Sequence, residues 1–298
     1  MNINIVNQNF DLFNNLSNII KKETLDSNNI YILTYNVFYA AILGDEKLMN
    51  HCNINSNNIC AKNIANIILN GHRPILNVDT LDFILLQEIT KDQWMYLYKY
   101  LDKEDKQFNL KYNIIKRDSL PKSGNITLYN KIKYKFISKK YTYWINKNYK
   151  NSDPRFIYYN LFKRNSDNKY FLVINLWFPH EQTRVYKSYS NIIENVKNYM
   201  SKYKNLNIII GGDFNYKPKK KDIKNISNNI FYTIDDIKID IKTCCFNNLS
   251  YWSDFIFTSI SNNIKYFIPD IRKYYINKVN NNYYASDHLP LYCIIKEN

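Results

Sequence analysis

The stretch that most constrains this chain is Leu206-Asn207-Ile208-Ile209-Ile210-Gly211-Gly212-Asp213-Phe214-Asn215. Consecutive Ile208, Ile209 and Ile210 read as a strand buried on both faces, since a strand with one wet face alternates apolar and polar side chains. Gly211 and Gly212 then predict a tight turn that ends the strand. Asp213 and Asn215 project from that turn, at the end of a buried strand, where ligand-binding groups sit in α/β sheets. The same side chains could do no more than bond local backbone in an Asx-type turn, so the rest of the chain has to decide.

Other segments repeat the pattern. Ile30 to Val37 and Leu81 to Glu88 are apolar, β-prone runs that end in polar groups. Strands are also predicted over 112–116, 125–129, 135–143, 155–162, 170–176, 254–258 and 289–295, and so many in succession imply antiparallel pairing beside the parallel part. Helical spacing is visible in 57–69, with Gly71 as a stop, in the segment after Thr90 through Trp94, Leu97 and Leu101, and in 184–203. Residues 1–28 are polar, with Phe10, Leu12, Phe13, Leu16, Ile19 and Ile20 at helical spacing, and predict a helix packed on the body of the protein. No repeat and no linker marks a boundary, so 1–298 reads as one domain.

Among 298 residues, 41 Lys and Arg stand against 26 Asp and Glu, a net charge of +15. That excess favours polyanionic partners, although a lysine-rich composition also serves a merely soluble protein. The 5 cysteines include the adjacent Cys244 and Cys245, and none has zinc-knuckle spacing. Reduced thiols and an intracellular location, cytoplasmic or nuclear, are therefore expected. The N-terminus lacks a basic region followed by an apolar core. No apolar run approaches the roughly 20 residues needed to span a bilayer.

Several strand ends carry groups able to serve one site: Asn36, Glu88, Asp213 with Asn215, Asp254, and Asp287 with His288. Carboxylates and carboxamides are the oxygen donors that Mg²⁺ or Mn²⁺ prefers. A histidine fixed by a carboxylate can stabilise charge or move a proton. Each group alone also has an ordinary structural explanation, as a helix-start carboxylate, a turn cap or a surface loop.

Five motifs occur in a telling order: Thr34-Tyr35-Asn36-Val37, Leu86-Gln87-Glu88, Gly212-Asp213-Phe214-Asn215, Ser253-Asp254-Phe255-Ile256-Phe257 and Ser286-Asp287-His288. Together they resemble the endonuclease/exonuclease/phosphatase superfamily over residues 30–295. The resemblance implies an α/β fold, a four-layer sandwich of two mixed sheets packed face to face with helices outside, as in DNase I. It implies a phosphoesterase dependent on Mg²⁺ or Mn²⁺. Glu88 would be the principal metal ligand, with Asn36 beside it and Asp287 on the metal side. Asp213 would orient and deprotonate the attacking water, and Asn215 would hold phosphate or metal. Asp254 would pair with His288, which would donate to the phosphoryl oxygen as charge builds. Arg155 opens a strand where such proteins often place an arginine.

One departure stands out. Many members carry a histidine where this chain has Trp177, in Asn175-Leu176-Trp177-Phe178-Pro179-His180. An indole donates one hydrogen bond and carries no titratable proton. It can contact phosphate or stack on a base, and His180 could supply the missing imidazole. The basic run Lys217-Pro218-Lys219-Lys220-Lys221 follows the central motif, and Lys217 and Lys219 are expected to track phosphates. A nucleic acid is thus the expected substrate. A phosphorylated small molecule or inositol phosphate is the alternative, then a lipid head group. A non-catalytic nucleic-acid-binding protein of the same fold is the reading from another class. No obligate protein partner is evident and a monomer is expected.

Overall fold

The computed structural model describes residues 29–37, 57–76, 78–116, 124–144, 155–180, 182–216, 243–244, 253–260, 263–269, 286 and 288–297. The expected helix within 1–28, the lysine run and Asp287 lie outside these residues.

The six-stranded sheet among the described residues contains β1 (Asn29–Asn36), β2 (Phe83–Ile89), β3 (Tyr112–Ile115), β4 (Gly124–Asn130), β10 (Ile264–Phe267) and β11 (Leu291–Lys296), in the order β10-β11-β1-β2-β4-β3. The five-stranded sheet is β5 (Tyr134–Trp144), β6 (Arg155–Arg164), β7 (Tyr170–Trp177), β8 (Asn207–Asp213) and β9 (Asp254–Thr258), in sequence order. Each sheet holds one parallel pair, β1 with β2 and β7 with β8, flanked by antiparallel neighbours. Both are mixed sheets, as expected.

Side-chain alternation shows why every central strand is apolar. Ile30 and Ile32 of β1, Phe83 and Leu85 of β2, Phe171 and Val173 of β7, and Ile209 of β8 pack together between the sheets. The alternate residues face outward. On one side Leu33, Tyr35, Ile84 and Leu86 are covered by α1 (Asn57–Asn70) and α3 (Lys91–Glu104). On the other, Ile174, Leu176, Ile208 and Ile210 are covered by Val185, Tyr189, Ile192 and Val196 of α5 (Gln182–Lys202). Two short helices, α2 (Arg73–Leu76) and α4 (Phe108–Lys111), complete the helical segments among the described residues. The result is helix, sheet, sheet, helix. Thr90 caps α3 in a full capping box with Gln93, which satisfies two otherwise orphaned backbone donors.

The inner faces turn polar toward one end. There Gln87 of β2 donates to Asn175 Oδ1 of β7 across the sandwich at 2.9 Å. Asn175 Nδ2 lies within reach of Ile126 O and Thr127 Oγ1 of β4, at 3.0 and 3.2 Å. All four residues are buried. Buried amides so connected fix the relative position of two sheets, because any slip would leave polar groups unpaired. This polar layer is the floor of the site.

The expected turn at Gly211-Gly212 is not where the strand ends: β8 continues to Asp213. Gly212 has φ +145°, and a Cβ there would stand 2.0 Å from Leu176 O of the parallel neighbour β7. The glycine serves close strand approach rather than chain reversal. Cys60 and Cys244 are each held in a disulfide, so the expectation of reduced thiols fails for these two, whereas Cys293 is a free buried thiol. No helix among the described residues is long and apolar enough to cross a membrane.

Candidate active site

The polar strand ends converge. Asn36 closes β1, and its Nδ2 lies 3.0 Å from Glu88 Oε1, 2.8 Å from Asp213 Oδ2 and 3.3 Å from His288 Nε2. One carboxamide thus links β1 to β2, to β8 and to the segment before β11. Its Oδ1 is buried and accepts no hydrogen bond among the described residues.

Glu88 reaches the site through a backbone irregularity. Phe83 and Leu85 point into the sandwich, so strict alternation would turn residue 88 outward. The pairing of β2 with β4 shifts register between Leu86 and Ile89, and Glu88 adopts φ +58°. Such a bulge re-aims a side chain, and a non-glycine residue in this conformation is a mark of functional sites.

Asp213 is completely buried at the end of β8. Its Oδ1 accepts from the Asn215 backbone N–H at 2.8 Å, and Asn215, at φ +49°, donates its side chain to Phe178 O at 2.7 Å. The local Asx bond and the site position therefore hold together. Burial pushes the Asp213 carboxyl up to about 7; His288 opposes the rise, and the nearby Asp254 and Glu88 carboxylates add to it. A group so poised can take a proton near neutral pH.

His288 Nδ1 lies 2.8 Å from Asp254 Oδ2. A carboxylate only accepts, so Nδ1 carries the proton and Nε2 faces the cleft, 4.0 Å from Asp213 Oδ2. Ser253 Oγ donates to the same Asp254 oxygen at 2.9 Å, and Thr243 Oγ1 accepts from the Asp254 backbone at 3.0 Å. Ser286 Oγ donates to Asn36 O at 2.6 Å and accepts from His288 N at 3.2 Å. Sequence reasoning gave no role to Ser253, Ser286 or Thr243. The first two stood inside the quoted motifs, and their position beside Asp254 and His288 was the available signal.

Arg155 opens β6, 3.4 Å from Glu88 Oε1, with its guanidinium carbon 3.5 Å from the centre of the Trp177 ring. Trp177 is almost fully buried, and its Nε1 has no hydrogen-bond partner among the described residues. His180 lies at the rim: burial, then the charges of Arg155 and His288, lower its pKa. Of the expected site residues, Asn36, Glu88, Arg155, Trp177, Asp213, Asn215, Asp254 and His288 come together. Asp287, Lys217 and Lys219 lie outside the described residues.

The donor set fits a divalent cation. Asp213, Asp254 and His288 each offer a ligand atom, all within 4.8 Å of one another. Asn36 Oδ1 and Asp254 Oδ1 are buried without partners among the described residues, and a buried oxygen left so is costly unless something electropositive meets it.

A family model described as the endonuclease/exonuclease/phosphatase family matches residues 33–288. The chain belongs to that family. Its members are hydrolases of phosphoester bonds and generally need a divalent metal. The uncharacterized protein L684 of Acanthamoeba polyphaga mimivirus is 26% identical over 290 residues, covering 90% of this chain and 50% of its own length. The chain thus spans half of that relative. Among solved structures, a truncated TDP2 of Caenorhabditis elegans superposes with a TM-score of 0.62 at 12% identity, over 92% of this chain and 99% of that one. A mannosyl-6-phosphatase of Bacteroides thetaiotaomicron gives 0.61 at 16% identity, over 89% and 99%. These likenesses establish the DNase I-like fold.

Proposed function

We propose that this protein hydrolyses phosphodiester bonds of DNA or RNA by in-line attack of water, with Mg²⁺ or Mn²⁺ as cofactor. The observation that carries the reading is the convergence of Asn36, Glu88, Asp213, Asp254 and His288 from separate elements onto one buried, oxygen-rich cleft. The oxygens of Glu88 and Asn36 are the groups that would hold the metal, and the family resemblance would add Asp287 to them. A divalent ion there would neutralise phosphate charge and assist the leaving oxygen.

The chain's own groups do the rest. Asp213, held by the Asn215 backbone N–H and by Asn36 Nδ2, orients the attacking water and accepts its proton. His288, when protonated on both ring nitrogens, donates from Nε2 to a phosphoryl oxygen as negative charge grows, and Asp254, itself bonded by Ser253, stabilises that imidazolium through Nδ1. Arg155, packed on Trp177 at 3.5 Å, directs guanidinium N–H groups at phosphate. Asn215 borders the same cleft. The excess of +15 supports an extended polyanion as substrate.

A phosphatase acting on a phosphorylated small molecule is the second reading, favoured by the likeness to the Bacteroides thetaiotaomicron mannosyl-6-phosphatase. A hydrolysis panel with Mg²⁺ or Mn²⁺ separates the two: single- and double-stranded DNA, poly(A) RNA, an inositol polyphosphate and a hexose 6-phosphate. EDTA and Glu88→Ala are the controls. Cleavage of a nucleic acid that both controls abolish is the expected result. Phosphate release from the small molecules alone would replace the nuclease reading with the phosphatase one.

A further inference from the structure

We infer that Asn125 is a positioning residue for the proposed hydrolysis: its side-chain amide fixes Arg155, carried by one sheet, relative to Glu88, carried by the other. The inference rests on the phosphodiesterase reading above.

Asn125 stands on β4 between Gly124, which pairs with Ile89, and Ile126, which pairs with Leu86. On β2 the same interval holds two residues, Gln87 and Glu88. Asn125 is therefore the single residue opposite the bulge that turns Glu88 into the cleft. Its side chain crosses the sandwich. Nδ2 donates to Phe156 O of β6 at 3.1 Å and to Asn175 O of β7 at 3.1 Å. Phe156 follows Arg155, and Asn175 precedes Trp177 by two residues. The backbone of Asn125 thus belongs to the strand that frames Glu88, while its amide holds the two strands that deliver Arg155 and Trp177.

The place of these bonds gives them their use. The ladder of β6 with β7 runs from Lys163 and Tyr170 to Ile157 and Leu176. Arg155 and Trp177 lie just past its end, where no pair of that ladder joins them. The Asn125 amide bridges the two strands there. Asn125 is completely buried, so water does not compete for its donors, and a buried carbonyl deprived of a donor is costly. Its Oδ1 accepts no hydrogen bond among the described residues, so the donors are what the position uses. Arg155 stays 3.4 Å from Glu88 Oε1 and 3.5 Å from the centre of the Trp177 ring. A guanidinium carries five N–H donors, enough for Glu88 and a phosphate together. What the chemistry needs from Arg155 is a fixed place, since a misplacement of about 1 Å costs on the order of 10²-fold in rate. An apolar side chain at 125 would leave the two sheets free to shift at this end.

The test is a double-variant cycle. Steady-state hydrolysis of bis-p-nitrophenyl phosphate with Mn²⁺ is measured for the full chain, Asn125→Val, Arg155→Ala and the two combined, with thermal melting as the check on folding. Asn125→Val is expected to lower kcat roughly 10- to 100-fold, and to cost less than about threefold when Arg155→Ala is already present. Asn125→Ser keeps one donor on a shorter side chain; it should fall between wild type and Asn125→Val, and it carries the test if Asn125→Val does not fold. A second readout needs no turnover. The Trp177 ring current shifts the Arg155 Nε–H resonance, which Arg155→Ala identifies by deleting it, and both Asn125 variants should move that resonance toward the position of an exposed arginine. Losses that multiply in the double variant, or an Arg155 resonance that stays in place in the folded Asn125 variants, overturn the positioning role and leave the phosphodiesterase reading intact. A wild-type chain that hydrolyses neither this diester nor any substrate of the panel overturns both.

Discussion

At the residue scale the site is governed by what burial does to a few polar side chains. Asp213 has no exposure at all, and its carboxyl is pushed up to about 7 by burial and by its acidic neighbours. Asp213→Asn keeps the shape and the Asn36 contact but cannot take a proton from water. Hydrolysis should fall by about 10²- to 10⁴-fold, the usual worth of a positioned base, and turnover measured with saturating Mg²⁺ checks it. Activity that survives would remove Asp213 from the proposed chemistry. Trp177 makes a second case. The sequence presented it as a replaced histidine, to be placed against phosphate or base. The structure puts its ring against Arg155, with the guanidinium carbon 3.5 Å from its centre. A guanidinium held against an indole gains cation–π attraction and loses little freedom. Trp177→Ala should cost about tenfold in kcat/KM, and Trp177→Phe should recover much of it. If histidine at this position restored activity and phenylalanine did not, the ring would matter for its proton rather than for Arg155. The bulge that turns Glu88 inward could not be read from Leu86-Gln87-Glu88, because a backbone torsion leaves no trace in side-chain order; the glutamate was placed by resemblance.

At the element scale the apolar runs were readable and their partners were not. Strands expected over 254–258 and 170–176 match β9 and β7 to within a residue, and the helix expected over 57–69 is α1. These segments are buried on both faces, so their composition is nearly continuous. β10 was missed. It spans Ile264–Phe267, has one buried residue, and falls where no strand was predicted. The two-sheet architecture came with the resemblance, and strand order was not predicted, since pairing depends on contacts far apart in sequence. Gly211 and Gly212 were misread for a clear reason: a glycine pair signals either a turn or a close approach, and only a neighbouring strand tells which. Gly212→Ala tests the second meaning. Its Cβ would meet Leu176 O, and φ +145° is poor for any L-residue. Urea unfolding should show a loss of about 3 kcal/mol. Little or no loss would mean that β7 and β8 can separate locally, and that the register placing Asp213 beside Trp177 is softer than it looks.

At the scale of the whole molecule, two buried groups in different layers set how stability responds to acid. His72 follows α1, packs in the outer layer near Tyr292, and is held to about 4 by burial and by the charge of Arg73. Unfolding frees it to bind a proton below its ordinary 6.5, so its contribution is complete above that value and is lost as pH falls toward 4. Asp213 acts in the opposite sense. Its folded pKa lies above the ordinary 3.8, so its contribution is complete below about 4 and is lost as pH rises through 7. Over pH 4.5–6.5 the two slopes, each near 1.4 kcal/mol per pH unit, oppose one another. In metal-free protein these two contributions largely cancel, and removing either group should expose the other. Unfolding free energy of Asp213→Asn should rise with pH across this window, and that of His72→Leu should fall, each relative to wild type. Because the groups belong to separate layers, the double variant should return close to the wild-type slope. Adding Mg²⁺ should flatten the falling limb of His72→Leu, since a bound cation favours the Asp213 carboxylate, and should leave the rising limb of Asp213→Asn in place. A Mg²⁺ effect on the rising limb instead would place the cation's influence at the outer layer and separate it from the cleft where Asn36, Glu88 and Asp213 meet.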